Sequence, residues 1–178
     1  TGDVTRLQTH TRLCDMAVSA FGAVHGLCNV AGVLGPGTLA EVTEAQFDHV
    51  MHVNCLAQLL SIRAFSARLR ESAGAIVNVA SILGERVGGA VGPYAISKAG
   101  LVQATKAMAL ELARYNIRVN AILPGYVATD MNSDFLHSEL GDKLRKRIPS
   151  RQFCELSDLT GPLLLLASNA GAGMTGAC

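Results

Sequence analysis

The chain has 178 residues, 49% of them apolar and only 4% aromatic, which is enough for one domain with a sizeable core and too apolar for a disordered segment. Lys and Arg number 15 and Asp and Glu 14, so the net charge of +1 gives no support for a nucleic-acid partner. No apolar run approaches the roughly 20 residues of a membrane helix. The five cysteines are scattered, with no C-x-x-C pair, which argues against a disulfide framework or a zinc site and for a reducing, cytoplasmic setting.

Leu13, Met16, Ala17, Ala20 and Phe21 recur at helical spacing, and Gly22 marks the stop. Val24 to Val30 is short and mostly apolar and reads as a buried strand. Ala31 to Gly37 is a loop with three glycines and Pro36. Thr43-Glu44-Ala45-Gln46 is a capping box that opens a helix running to about Leu69, with Phe47, Val50, Met51 and Asn54 on one face. Ala75 to Ala80 is a second apolar strand. A glycine-rich loop, Gly84 to Gly92, leads into an Ala-rich helix from about Tyr94 to Arg114. Asn116 to Leu123 is a third strand, ended by Pro124-Gly125. Met131 to Arg151 is polar, irregular and partly helical. Ser157 to Ala167 forms a last helix, whose Leu163 to Leu166 run reads as core, and Gly171 to Gly176 reads as a plain turn. Strands alternating with long helices imply βαβ units, a parallel sheet and right-handed crossovers. Cover on both faces explains the uniformly apolar strands.

Tyr94 and Lys98 stand four apart on one helix face. An ammonium near a phenol favours the phenolate and lowers its pKa from about 10, making it a usable acid or base near neutral pH. Taken alone, Y-x-x-x-K is a weak signal, more often a chance pair on a solvated helix. Ser81 ends the second strand, where catalytic groups of open parallel sheets gather, and its hydroxyl can donate to a carbonyl oxygen. A lone Ser there is otherwise a turn or cap. Asn54 is a poor helix former at mid-helix, read either as a satisfied core amide or as an anchor for water.

As a set, Asn29-Val30-Ala31-Gly32, Val53-Asn54, Ser81, Tyr94-x-x-x-Lys98 and Pro124-Gly125 follow the order and spacing of the short-chain dehydrogenase/reductase family, and the resemblance runs from Asp3 to Gly176. It implies a single α/β domain over residues 1–178, a Rossmann-like doubly wound parallel sheet. It implies an oxidoreductase that moves a hydride between NAD or NADP and a small-molecule alcohol or carbonyl substrate, such as a 3-oxoacyl, sugar or polyol, or steroid-like compound. By the resemblance, Tyr94 is the general acid/base, Lys98 lowers its pKa and holds the nicotinamide ribose, Ser81 polarises the substrate oxygen and Asn54 positions a water. Asn29, Ala31 and Gly32 would line the adenosine side of the cofactor, with Asp3 and Val4 at the adenine. Pro124, Gly125, Val127 and Thr129 would hold the nicotinamide carboxamide. No nucleic acid, membrane or metal enters this reading, and a homodimer or homotetramer is expected.

Three features depart from the family pattern. The opening T-G-x-x-x-G-x-G phosphate cradle is absent, so the first βαβ portion and the last strand are expected to lie outside this chain. Val30 replaces an asparagine that would brace neighbouring strands, which suggests local repacking, and His25 stands where an acidic residue is common. The Lys143, Arg145, Lys146 and Arg147 run reads as a solvated face, the alternative being a grip on an acidic substrate or carrier. Met131 to about Phe153 resembles the family's substrate lid. The competing functions are a non-catalytic member of the fold, which would lack Tyr94 or Lys98, and an isomerase-type member, which would carry a larger C-terminal domain.

Overall fold

A computed structural model describes residues 1–129 and 132–178. Helix α1, Leu7–Phe21, ends at Gly22, whose φ of 80° is the left-handed conformation that favours glycine, and whose N–H closes onto the Val18 carbonyl. Strand β1 is Gly26–Asn29. Helix α2, Glu44–Met51, opens on the capping box, with the Thr43 hydroxyl accepting from Gln46 N–H and the Gln46 side chain reaching back to Thr43. The helix does not continue smoothly. His52–Leu56 winds as a π turn, closed by Ala57 N–H on the His52 carbonyl, before α3, Ala57–Ser72. Strand β2 is Ala75–Val79, helix α4 is Gly92–Leu112 and strand β3 is Arg118–Ile122. Short helices α5, Ser133–Leu136, and α6, Glu139–Arg145, precede α7, Thr160–Ala167.

The three strands form one parallel sheet in the order β1-β2-β3, with Leu27 opposite Ile76 and Ile76 opposite Val119. That row faces one way, and α1, α3 and α4 cover it through Cys14, Phe65, Leu69 and Ala109. The alternate row, Val77 and Asn120, is equally buried, because α7 lies against β2 and β3 on the opposite face. Gly176 N–H donates to Val119 O and Ala121 N–H to Ala177 O, so the chain's last residues lie along β3 as a further strand would. Arg118 fixes the approach to this segment by donating to the carbonyls of Leu166, Ser168, Gly171 and Met174.

Two expectations about packing need correction. Cover on both faces holds for β2 and fails for β1, whose Gly26 and Cys28 are exposed while Leu27 and Asn29 are buried, α7 lying against β2 and β3. The leucines of α7 are not all core. Leu166 is 6% exposed, but Leu164 is 60% and Leu165 41% exposed, because a single helix turns only one side to the sheet. The basic run from Lys143 to Arg147 is solvated, as expected. Of the expected lid, Met131 lies outside the described residues.

Candidate active site

The carboxyl ends of the three strands bring the site together. After β1 come Ala31 and Gly32, after β2 comes Ser81, and after β3 come Pro124 and Gly125. Ile82 N–H donates to Pro124 O, and Gly37 N–H to Ala90 O, so the loops are laced to one another above the sheet. Tyr94 and Lys98 enter from the first turns of α4, and Asn54 from the π turn. Asn54, Ser81 and Lys98 are buried and Tyr94 is half-buried.

Lys98 is only 3% exposed, and its ammonium donates to the Val79 carbonyl at 2.8 Å. Burial pulls its pKa down from 10.5 to about 8, against a smaller opposing effect of the neighbouring Cys55. Burial pushes the Tyr94 phenol above its ordinary value, and the nearby Ser81 hydroxyl offsets this only in part. The ammonium lies 5.7 Å from the Tyr94 ring centroid and is held by Val79, while desolvation dominates the phenol. Ser81 caps a short 3₁₀ turn by accepting from Leu83 N–H, which leaves its hydroxyl hydrogen free to donate.

Asn54 is a satisfied core amide. Its Nδ2 donates to Val33 O and Ser97 Oγ, and its Oδ1 accepts from Val33 N–H at 2.8 Å. Gly32 passes over this corner. A Cβ there would lie 3.3 Å from Asn54 Oδ1 and 3.5 Å from Lys98 Nζ. The Lys98 ammonium has three N–H donors and commits one of them to Val79. A side-chain-free backbone beside a buried cation with donors to spare fits the hydroxyls of a ribose, so the donor set suits a nicotinamide nucleotide.

The expected cofactor rim is only partly free. Asn29 donates through Nδ2 to Asn78, and Asn78 to Thr105 on α4, so its side chain braces β1, β2 and α4 and leaves its backbone for the adenosine side. That amide chain supplies the bracing, and Val30, 63% exposed, repacks nothing. The Ala31 carbonyl accepts from buried Gln58. The Asp3 carboxylate accepts from the Thr5 N–H and hydroxyl, which hold its pKa below the usual range. Buried His10 holds the Val4 carbonyl at 2.7 Å. The Val127 carbonyl and the Thr129 hydroxyl are both bonded to Asn132. A cavity of about 890 Å³ adjoins the site through Ala128 and Thr129 and is lined further by His137, Arg145, Arg151 and Phe153, without reaching Tyr94 or Lys98. Sequence reasoning missed Ser97, Gln58, Asn78 and Asn132. Gln58 had a signal in its place four residues after Asn54, a second amide on an apolar helix face. The bonds of Asn78 depend on distant segments and left none, whereas those of Asn132 are local, to Val127 and Thr129 three to five residues before it.

A family model described as enoyl-(acyl carrier protein) reductase matches residues 1–178. The chain belongs to the short-chain dehydrogenase/reductase family. It is 34% identical over 179 residues to the 2-dehydro-3-deoxy-D-gluconate 5-dehydrogenase of Escherichia coli K12, a match spanning 99% of this chain and 71% of that protein. It is 34% identical to a 3-oxoacyl-acyl-carrier-protein reductase of Staphylococcus epidermidis over 89% of this chain and 65% of that one. An NAD+-bound xylitol dehydrogenase superposes with a TM-score of 0.90 at 26% identity, covering 98% of this chain and 74% of the other. The short-chain dehydrogenase/reductase relatives share the Rossmann-like doubly wound sheet, and this chain contributes three of its parallel strands.

Proposed function

We propose that the protein is an NAD- or NADP-dependent oxidoreductase acting on a secondary alcohol or ketone, with Tyr94, Lys98, Ser81 and Asn54 as its working residues. The observation that carries this reading is the meeting of Tyr94 and Ser81 beside a buried lysine at the strand ends. When bound, the nicotinamide supplies or accepts the hydride. Tyr94 gives its phenol proton to the carbonyl oxygen in reduction and takes it back in oxidation. Ser81 donates its free hydrogen to the same oxygen as charge develops there. Lys98 directs its remaining donors at the ribose, and its positive charge, brought against the bound substrate and phenol, favours loss of the Tyr94 proton. Asp3, Val4, Ala31, Gly32, Pro124, Gly125, Val127 and Thr129 form the cofactor rim, Asn29 contributing backbone.

The relatives named for 3-oxoacyl and sugar-acid substrates suggest the first compounds to try. No described helix is long and apolar enough to cross a membrane, and all five cysteines are free, which suits a reducing cytoplasm. The test is turnover of 2-dehydro-3-deoxy-D-gluconate and a 3-oxoacyl thioester with each cofactor, in the whole protein and in Tyr94→Phe. The variant should lose about 10²–10⁴-fold in kcat while binding cofactor normally. Retention of more than half the wild-type kcat would refute the assignment.

A further inference from the structure

Ser97 stands between Tyr94 and Lys98 in the same turn of α4, and no part of it reaches solvent. Its hydroxyl donates to the Tyr94 carbonyl at 2.7 Å and accepts from Asn54 Nδ2 at 3.0 Å. Asn54 is in turn bonded to both backbone groups of Val33. Three segments thus meet at one buried amide: the loop after β1, the π turn and the helix that carries Tyr94 and Lys98.

A primary amide turned over by half a rotation keeps its shape and exchanges donors for acceptor. Its neighbours decide which way it sits. The single hydrogen of Ser97 is committed to Tyr94, so the hydroxyl presents only lone pairs to Asn54 and demands Nδ2 there. Val33 N–H demands Oδ1 on the other side. Oδ1 consequently faces the Gly32 backbone, on the same side as Lys98 Nζ. One acceptor and one cation face a common corner, an arrangement that can hold a water or hydroxyl between them.

We propose that Ser97 is a positioning residue, which fixes the orientation of the Asn54 amide and ties the π turn to the helix bearing Tyr94 and Lys98. This rests on the oxidoreductase reading above. Without the hydroxyl, an Nδ2 hydrogen loses its acceptor in a dry place and the two helical segments lose their only direct polar tie among the described residues. Displacements of an ångström or less are enough to slow a positioned reaction.

The test compares Ser97→Ala, Asn54→Ala, their double variant and Tyr94→Phe in the whole protein. Ser97→Ala should lower kcat on the order of tenfold with cofactor affinity within about twofold, and should add almost nothing to Asn54→Ala, because the two act through one bond. Should Ser97→Ala not fold, Ser97→Cys, which keeps the volume and bonds weakly, enters the same comparison. Wild-type kcat in the Ser97 variant, or a full further loss on top of Asn54→Ala, overturns the role. If Tyr94→Phe keeps its turnover, the oxidoreductase reading itself falls. If Tyr94→Phe and Asn54→Ala are slow and the Ser97 variant is not, only the role of Ser97 falls.

Discussion

Lys98 answers two conflicting demands. In the proposed mechanism its charge holds the ribose and favours the phenolate, and its burial works against that charge, as the pKa of about 8 against 10.5 records. The sign of the linkage follows. Below about pH 8 the lysine is protonated in both the folded and the unfolded chain, and its burial penalty is fully present. Between about pH 8 and 10.5 the unfolded chain binds the proton and the folded chain does not, so stability rises with pH over this window. Lys98→Met fills a similar volume without a charge. Any stability advantage of the variant should therefore be greatest near neutral pH and shrink as pH climbs toward 10.5, by on the order of 1–3 kcal/mol at about 1.36 kcal/mol per pKa unit. Denaturant melts of both proteins at the two ends of that window measure it. A difference that grows with pH would show that Lys98 is not the buried cation described.

At the scale of elements, the 3₁₀ turn Ile82–Gly84 that follows Ser81 is pressed against α4. A Cβ on Gly84 would come within 2.9 Å of the Lys98 carbonyl carbon and 3.1 Å of Ala99 N, both backbone atoms that cannot swing aside. Gly84→Ala should lose about 1–3 kcal/mol by overpacking, and should lower kcat as well, because the turn that retreats carries Ser81 away from Tyr94. Gly89, with open space around it, is the control, and Gly89→Ala should be near neutral. Equal melting curves for the two variants would contradict this packing. Such contacts mark the boundary of what the sequence makes legible. The Thr43 capping box, the Gly22 stop and the common face of Tyr94 and Lys98 are local patterns, and all three are present. The π turn at Asn54 is invisible to a 3.6-residue periodicity, since the apolar stripe runs through it unbroken. The raised Tyr94 pKa follows from how much protein surrounds the phenol, which no spacing reports. That the Asn29 side chain is taken up by Asn78 shows only once β2 lies beside β1. The Leu163 to Leu166 run reads as core until the sheet is seen to cover only one side of α7.

Over the whole molecule, the outward face of α4 is the surface with a pattern. Ile96, Ala99, Gln103, Ala107 and Leu110 are exposed at spacings of three and four, and Leu110 is 82% exposed. Leu101, Met108 and Leu112 pack inward and leave this stripe facing outward. Small residues at Ala99 and Ala107 let a second helix approach closely, and Leu56 and Leu59 carry apolar surface onto the neighbouring π turn and α3. One helix seam alone falls short of the roughly 1,600 Å² of a standard interface, so the two elements are needed together. A two-fold axis that sets the stripe against itself meets both needs, and it stiffens the helix that holds Tyr94, Ser97 and Lys98. The whole protein should then be a dimer or tetramer at micromolar concentration by light scattering. Ala107→Arg places two like charges across the axis, each desolvated and unpaired, and should weaken assembly by on the order of 2 kcal/mol or more, roughly thirtyfold. The same substitution leaves the sheet core untouched, so the monomer should still melt cooperatively. A wild type that remains monomeric, or an Ala107→Arg variant that assembles as tightly as wild type, would exclude this face as the interface.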